Sequence, residues 1–480
     1  MKLEPLSALL LAFLAGVPGA DELTDRVDEV FAAYDTDDAP GMSVAVLRDG
    51  QTLYARGYGL ASLEYGIPNG PETVFRIGST SKQFTATCIA MLALRGELDL
   101  DADVRTWFPA MHEYESPVTV RHLVHHTSGI RDYIELETLA WGRGELCVTP
   151  QQSIAAIERQ RGLAFAPGER YQYSNSNYLL LGEIVRRVSG ETLAEFAEAR
   201  VFGPLGMENS HYQDRHDRVV ANRAFGYSQG PGGEWRLDIT TLDHVGDGSV
   251  FTTVRDLALW DANFYGNRLE GGEELLPLMH TTGVLNDGSE LDYAFALGID
   301  TYRGLRTVSH GGAWVGYRAQ MTRFPDQRFT VICLANRSDV NPSTLCLRVA
   351  DVYLEAELAA AEAALAAAAA DDTAEQAEPA GASPDEPRER GSTPDPEAVQ
   401  DLLGGYWSPE LEVEWELRIE DGRLVLDRGL ARPSRLRALA AADELRHGPH
   451  TLRFQRDGEG RPTGFLLSSD RYGDFVFTRR

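Results

Sequence analysis

Apolar and β-branched residues cluster in short runs near the start of the chain and again in its second half. Gly41–Leu47 and Thr52–Tyr58 flank the pair Asp49-Gly50, a pattern that predicts a β-hairpin. Similar strand-like runs follow much later in the chain, at Thr307–Ser309, Tyr317–Phe324 and Phe329–Ala335. We expect the early and late strands to share one sheet around a helical middle.

Between these runs, apolar residues recur at the three- and four-residue spacing of a helix. Ser79–Leu98 predicts a helix with one buried face, with Gly96 near its end. Ser176–Val188 has the same pattern, and Gly190 is expected to end that helix. A further long helix is predicted from about Ser343.

The composition of the chain changes sharply after Leu365. Residues 371–397 are crowded with Asp, Glu, Pro, Ser and Thr and hold almost nothing apolar, which predicts a linker. Residues 398–480 alternate apolar and polar positions, with Asp-Gly turns at Asp421 and Asp457, and predict a small separate β domain. Residues 21–370 are expected to form the main domain.

Residues 1–20 have the organisation of a secretory signal. One positive charge at Lys2 precedes an apolar core, and small residues stand before the acidic Asp21. We expect the mature protein to be secreted or periplasmic, and a buried N-terminal helix is the alternative. No later stretch reaches the roughly 18 apolar residues of a membrane span, so we expect no stable membrane anchor.

The net charge of −28 over 480 residues narrows the function classes further. Such a surface repels phosphate, so we expect no nucleic-acid partner, while the oligomeric state stays open. His122, His125 and His126 lack the carboxylate or cysteine that would complete a metal site, and we expect neither metal nor cofactor. The four cysteines lack the spacing of a zinc site and could form at most a disulfide or two: Cys88, Cys147, Cys333 and Cys346.

The candidate chemistry begins with Ser79-Thr80-Ser81-Lys82 at the start of the first predicted helix. One helical turn places Ser79 and Lys82 on the same face, where a lysine of lowered pKa could take the proton of the serine. The alternative is a helix-capping serine and a solvated lysine. However, Lys2 and Lys82 are the only lysines among 45 basic Lys and Arg residues. Because arginine cannot lose its proton, Lys82 is predicted to be needed as a neutral amine.

Two further segments could complete such a site. Tyr173-Ser174-Asn175 precedes the second predicted helix, and its phenol could shuttle a proton while its amide orients a substrate or the lysine. His310-Gly311-Gly312 lies at a predicted strand edge, where glycines let a ligand approach the backbone closely. Taken separately, the first segment could equally be core packing and the second a turn.

The order of these motifs resembles that of the penicillin-recognising serine hydrolases. The similarity is strongest to the branch of class C β-lactamases, D-alanyl-D-alanine carboxypeptidases, D-aminopeptidases and related esterases, and it covers about residues 22–355. It implies an α/β sandwich of the serine β-lactamase type, with an antiparallel sheet flanked by helices and a helical lobe. The motifs are Ser79–Lys82, His126–Gly129, Pro167–Asn175, Pro204–Met207 and His310–Gly312.

The resemblance also implies a role for each matching residue. Ser79 would be the acylated nucleophile, Lys82 its base and Tyr173 the proton shuttle. The substrate-binding residues would be Asn175, His310, Gly312 and Ala313, the last through an oxyanion hole formed by the backbone N–H groups of Ser79 and Ala313. His126–Gly129 and Pro204–Met207 are expected to shape loops, and Trp314 either lines the acyl pocket or packs in the core.

One departure from the family pattern concerns the substrate. Many β-lactamases of this superfamily have Lys-Thr-Gly where this chain has His310, which is largely neutral at pH 7 and holds a carboxylate less firmly. We therefore expect a secreted serine hydrolase that cleaves amide or ester bonds of small peptide-like substrates, with β-lactam hydrolysis at best a side activity. The sequence does not separate a D-amino-acid peptidase from an esterase.

Two further expectations remain open. A binding protein on the same fold, acylated slowly or not at all, is the alternative to the enzyme. The C-terminal β domain resembles the small lipocalin-like modules appended to some peptidases of the family, on the basis of Gly404-Gly405-Tyr406-Trp407. A packed barrel or a lid over the cleft is the favoured interpretation of that domain.

Overall fold

A computed structural model describes residues 20–142, 148–371, 392–429, 431–441, 443–469 and 471–480 of the chain. The predicted secretory signal at residues 1–20 lies outside the described residues except for Ala20. Most of the predicted linker at residues 371–397 lies outside them as well, and so does Cys147. The other three cysteines are buried, free thiols.

The predicted hairpin and the late strands form one antiparallel sheet. The strands before the linker are β1 (Met42–Arg48), β2 (Gln51–Tyr58), β3 (Leu60–Ser62), β4 (Ile67–Pro68), β5 (Phe75–Arg76), β6 (His211–Tyr212), β7 (Tyr227–Gln229), β8 (Trp235–Leu237), β9 (Val250–Thr252), β10 (Gly298–Tyr302), β11 (Leu305–Trp314), β12 (Tyr317–Phe324) and β13 (Phe329–Ala335). Six of them form the sheet, in the order β10-β11-β12-β13-β1-β2. Strand β13 pairs with β1 in a register that sets Val44 opposite Cys333, so the early and late strands share the sheet as predicted.

Helices cover both faces of this sheet and form a lobe beside it. They are α1 (Ala20–Phe31), α2 (Lys82–Leu94), α3 (Val120–Val124), α4 (Tyr133–Trp141), α5 (Pro150–Glu158), α6 (Asn175–Ser189), α7 (Leu193–Ala197), α8 (Gly203–Leu205), α9 (Val254–Asn263), α10 (Gly272–Met279), α11 (Pro342–Tyr353) and α12 (Glu355–Asp371). Alternate residues of β1 join different cores because successive strand residues point to opposite faces. Val44 packs with α1 and α11, whereas Ala45 joins the large core that contains α2, α6 and α9.

The helix that carries the lysine differs from its prediction. A 3₁₀ turn at Gly78–Ser81 precedes α2, which ends at Leu94, before Gly96. The sequence predicted one buried face, but every residue from Lys82 to Leu92 is buried, because helices of the lobe surround α2. Its polar side chains are satisfied inside the protein; the Thr85 hydroxyl, for example, donates to the Gly246 carbonyl at 2.7 Å.

Two other helical predictions have different outcomes. Helix α6 follows its prediction closely and ends at Gly190, which has the left-handed conformation with φ of 78°. The long helix predicted from about Ser343 is instead two helices, because the backbone of Leu354, between α11 and α12, departs from the helical conformation. Among the described residues, no helix is both long and apolar enough to cross a membrane.

The C-terminal residues form a separate, nearly closed all-β sheet. Its strands are β14 (Gly404–Ser408), β15 (Val413–Glu420), β16 (Arg423–Arg428), β17 (Ala431–Arg435), β18 (Arg437–Ala438), β19 (Glu444–His447), β20 (His450–Arg456), β21 (Pro462–Ser469) and β22 (Gly473–Arg479). They lie in the order β17-β16-β15-β14-β22-β21-β20-β19-β18, and aromatic side chains such as Trp415, Phe465 and Phe477 fill the interior of the sheet.

Helix α4 belongs in part to the core of this C-terminal sheet. Leu136, Leu139 and Ala140 are buried in the same cluster as the aromatic residues of the sheet. Burial of apolar side chains between two units stabilises their contact by about 25 cal/mol for each Å² removed from water. The C-terminal sheet and the lobe that carries α4 therefore share an apolar interface.

Candidate active site

Ser79 and Lys82 meet where the 3₁₀ turn passes into α2. The Lys82 amine donates a hydrogen bond to Ser79 Oγ at 3.1 Å. Lys82 is completely buried, whereas Ser79 is partly exposed and lines the cleft between the sheet and the helical lobe. A substrate can therefore reach the hydroxyl while the amine stays away from solvent.

The surroundings of Lys82 favour its neutral form. Burial lowers the pKa of the amine to about 8, and the negative charges of Asp247 and Asp132 act against this effect without cancelling it. Among the described residues, no carboxylate forms an ion pair with the amine. It donates instead to Asn175 Oδ1 at 2.9 Å and to the backbone carbonyl of Asp247. A neutral amine is thus available near physiological pH.

Asn175 is held in one orientation by Asp132. Its backbone N–H and its side-chain Nδ2 both donate to Asp132 Oδ2, at 2.7 and 2.9 Å. An ionised carboxylate only accepts hydrogen bonds, so the amide must turn Oδ1 towards Lys82. Sequence reasoning missed Asp132, although it stands three residues after the motif His126–Gly129 and caps α4 by accepting from the Ile134 N–H.

Tyr173 brings a neutral phenol to the same site. Its hydroxyl is buried and has no hydrogen-bond partner among the described residues, and burial raises its pKa well above the usual value. Ser79 is near enough to oppose this rise in the pKa, but burial is the larger effect. The Lys82 amine lies 4.8 Å from the centre of the Tyr173 ring. A phenol that stays protonated can act as a proton donor.

His126 was expected only to shape a loop, yet its ring lies against Tyr173, with 4.2 Å between the ring centres. Its Nδ1 accepts from the Ser174 backbone N–H at 3.2 Å, so it also holds the segment that carries the phenol. Burial, followed by the nearby charge of Lys82, lowers the pKa of His126 well below 6.5. A histidine directly before Thr-Ser-Gly was the only sequence signal for this role.

The third motif lies within strand β11 instead of in a turn. Within β11, residues 305–309 pair with β10, whereas residues 310–314 extend past it and line the cleft. The Ser79 turn touches this part of the strand, because a Cβ atom at Gly78, which has φ of +50°, would lie 2.8 Å from the Ala313 nitrogen. Ser79 and Ala313 therefore border the same cavity, as a shared oxyanion hole requires.

His310 is neutral in this arrangement. Its Nδ1 lies 2.6 Å from the Gly311 carbonyl and must donate to it, which leaves Nε2 to accept from the Tyr293 hydroxyl at 3.1 Å. Burial, followed by the charge of Lys82, lowers the pKa of His310 to about 4. The third motif thus supplies no positive charge at neutral pH, in agreement with the sequence-based expectation.

A cavity of about 150 Å³ adjoins Ser79 on the side of Asn175. Trp314 lines it, which resolves the choice between pocket and core for this residue. The opposite wall comes from Leu242, His244 and Asp247, in a region without any recognisable motif. Tyr133 fixes that wall by stacking on His244 and donating to Asp247 Oδ2 at 2.9 Å.

An antiparallel sheet beside a helical lobe, with a serine and a buried lysine one turn apart in the cleft between them, defines the penicillin-recognising serine hydrolases. Residues 27–351 match the beta-lactamase family, and the chain belongs to that family. The structure brings the seven residues predicted from the sequence together: six of them line the cavities beside Ser79, and Lys82 is buried behind it. Asp247 also lines the cleft, whereas His126 and Asp132 are buried next to it.

Known relatives include a D-aminopeptidase from Gluconobacter oxydans, 31% identical over 298 residues. That match covers 62% of this chain and 56% of the relative, so the chain spans little more than half the length of that enzyme. Penicillin-binding protein 4* of Bacillus subtilis is 31% identical over 317 residues, covering 62% of this chain and 68% of the relative.

A solved structure extends the likeness in fold to the C-terminal sheet. The octameric penicillin-binding protein homologue from Pyrococcus abyssi is 24% identical, with a TM-score of 0.59. The alignment covers 96% of this chain and 99% of that protein. At this identity the comparison shows a common fold, and both parts of the chain take part in it.

Proposed function

We propose that this protein is a serine hydrolase that cleaves amide or ester bonds of small peptide-like substrates through an acyl-enzyme on Ser79. The observation that carries the proposal is the 3.1 Å contact between the Lys82 amine and Ser79 Oγ, together with a lysine pKa of about 8. A buried amine whose lowered pKa makes its neutral form accessible, beside an accessible hydroxyl, is the arrangement that activates a serine.

The reaction begins when the Lys82 amine takes the proton of Ser79 and Oγ attacks the carbonyl carbon of the substrate. The backbone N–H groups of Ser79 and Ala313 stabilise the resulting oxyanion. The Tyr173 phenol gives its proton to the leaving amine or alcohol, and the protonated Lys82 restores that proton. A water molecule then attacks the carbonyl carbon of the acyl-enzyme and gives a proton to Lys82, the bond from that carbon to Ser79 Oγ breaks, and the proton passes to Oγ as the acid is released.

The cleft and the relatives support a substrate class. Two cavities adjoin Ser79, one of about 150 Å³ on the side of Asn175 and one of about 530 Å³ along the third motif, so the cleft has room for a small acyl group on one side and a larger group on the other. The neutral His310 disfavours substrates that need a fixed positive charge at the third motif. Sequence similarity to D-aminopeptidases favours D-amino-acid amides as substrates, and the neutral His310 makes β-lactams less suitable. The predicted signal at residues 1–20 would place this activity outside the cytoplasm.

Hydrolysis of a short p-nitrophenyl ester, followed together with the intact mass of the protein, tests the proposal. We expect a burst of p-nitrophenol and an acyl mass increment in the wild type, and neither in Ser79→Ala. Ser81→Ala is a matched control from the same turn, since the Ser81 hydroxyl accepts from the Val250 N–H at 3.0 Å and faces away from the reaction. Turnover that survives Ser79→Ala would contradict the proposal, and ligand binding without any adduct would favour a binding protein.

A further inference from the structure

Arg131 forms a buried junction between the helical lobe and the C-terminal sheet. Its side chain is only 3% exposed, and its guanidinium lies 4.2 Å from the centre of the Phe475 ring. It donates across the interface to Glu410 Oε2 at 2.8 Å and to the carbonyl oxygens of Tyr472 and Asp474, both at 2.7 Å. A planar guanidinium has enough N–H donors in fixed directions to bind all three acceptors at once, whereas the single ammonium group of a lysine would not.

Glu410, which accepts from Arg131 across the interface, is also buried and has a second hydrogen bond there. Glu410 is 8% exposed and also accepts from the Arg161 N–H at 2.9 Å. Breaking a buried ion pair on one side leaves an uncompensated charge, so the pair resists separation. The segment around Arg131 is therefore fixed to the C-terminal sheet.

From Arg131 a short path leads to the catalytic groups. The Ser176 hydroxyl donates to the Arg131 carbonyl at 2.7 Å and accepts from the Tyr133 N–H at 2.8 Å, which ties residues 131–133 to the start of α6. Asp132, the next residue, holds both amide groups of Asn175, and Asn175 Oδ1 accepts from Lys82. Each step in this path is a direct hydrogen bond or a peptide bond.

A second contact reaches the segment that carries the phenol. The Gln172 side chain donates to the Arg471 carbonyl at 2.7 Å, one residue before Tyr173. Arg471 also pairs with Glu135 of α4 at 2.8 Å. The turn between β21 and β22 thus contacts both segments that line the cleft beside Ser79, the one before α6 and the one that forms α4.

We propose that Arg131 is a positioning residue through which the C-terminal β sheet holds Asn175 against Lys82. The C-terminal sheet is then a structural part of the active site and not a detachable lid. The inference rests on the function proposed above, because it assigns Arg131 an effect on the acylation of Ser79.

Arg131→Gln in the full-length protein tests this role. We expect Ser79 acylation to slow by about tenfold or more, since small displacements of positioned groups cost rate on this scale. We also expect the midpoint of the pH profile of acylation to move to lower pH. The reason is that the charged form of Lys82 loses its acceptor Asn175 and the nearby charge of Asp132, so the pKa of the amine falls.

Two control variants break ion pairs that do not lead to Asn175. Arg159→Gln removes another contact between the two parts, to Glu412 at 3.4 Å, and Arg323→Gln removes a buried pair with Asp261 at 2.8 Å. Both can lower the melting temperature, but we expect the midpoint of the pH profile to stay where it is. If Arg131→Gln does not fold, Glu410→Gln, which keeps the shape of the side chain, tests the same path.

The outcomes separate this inference from the proposed function. A folded Arg131→Gln or Glu410→Gln protein with the wild-type midpoint overturns the inference, even if its rate is lower. A slower rate with a lower midpoint, absent from both controls, supports it. A wild-type protein that is never acylated instead refutes the proposed function itself.

Discussion

The backbone of Gly312 packs directly against the carbonyl group of Ile77. A Cβ atom at position 312 would lie 1.9 Å from the Ile77 oxygen, far inside van der Waals contact. Ile77 precedes the turn that presents Ser79, and Gly312 precedes Ala313 in β11. This contact therefore sets the separation between the two N–H groups of the proposed oxyanion hole.

We expect Gly312→Ala to lose about 10²–10³-fold in kcat, the scale seen when one oxyanion donor is removed. The added methyl group must push β11 away from the Ser79 turn. Gly311→Ala is the matched control, because its Cβ would meet the flexible Gln320 side chain, with Oε1 at 2.9 Å. Steady-state ester hydrolysis by the two variants checks this. Equal activity in both would mean that the spacing of the two segments is not critical.

Lys82→Arg is expected to abolish acylation. The substitution keeps a positive charge in the buried position, but a guanidinium cannot lose a proton in a protein. Intact mass after exposure to the ester should show no increment, while circular dichroism should show a folded protein. An acylated Arg variant would show that Lys82 is not the base.

The pH dependence of kcat/KM should show a rising limb with a midpoint near the Lys82 pKa of about 8. Below this pH the amine of the free enzyme holds a proton and cannot accept another from Ser79, so activity increases as the pH rises through the pKa. His310, with a pKa of about 4, adds no limb around pH 6.5. A midpoint near 6.5 in a pH series of initial rates would instead identify a histidine as the base.

Tyr173→Phe should lower the turnover rate without lowering the stability of the protein. Apart from its approach to Ser79, the Tyr173 hydroxyl has no polar partner among the described residues, so its removal should change the melting temperature little. The turnover rate should fall by about 10²–10⁴-fold, as for the loss of a general acid.

Tyr406→Phe gives the opposite pattern and serves as the control for the tyrosine prediction. The Tyr406 hydroxyl donates to the Leu402 carbonyl at 2.7 Å inside the C-terminal sheet. Its loss leaves that carbonyl without this donor and should reduce the free energy of unfolding by about 1–3 kcal/mol, with turnover retained. Thermal melts and initial rates of both variants test this contrast. A strongly destabilised Tyr173→Phe protein would contradict the prediction for Tyr173.

Local patterns predicted the parts of this fold that depend on neighbouring residues. The Asp49-Gly50 turn and the Gly190 stop are set by backbone conformations that few other residues adopt, and both lie where they were expected. The spacing of Ser79 and Lys82 likewise places the two side chains together by helical geometry alone. Such features need no knowledge of the rest of the chain.

The features that the sequence did not reveal depend on contacts between distant segments. The sequence of helix α2 predicted one polar, exposed face. In the structure that face is buried, because distant groups such as the Gly246 carbonyl accept hydrogen bonds from side chains such as Thr85, and the sequence near Thr85 does not indicate these partners. From the sequence, Asp132 can be interpreted only as the N-cap of a helix. Its contact with Asn175 depends on the packing of α6 beside it. Arg131 is one of many arginines, and its buried ion-pair partner Glu410 lies 279 residues later in the chain.

The scarcity of lysine has a practical consequence for spectroscopy. Protein grown with ¹⁵N-labelled lysine contains two labelled amines, those of Lys2 and Lys82, and only the second lies among the described residues. Once residues 1–20 are removed, a single side-chain nitrogen signal would report the protonation of the Lys82 amine directly. Its chemical shift, followed across pH and after acylation, would trace the movement of one proton through the reaction cycle without any competing resonance.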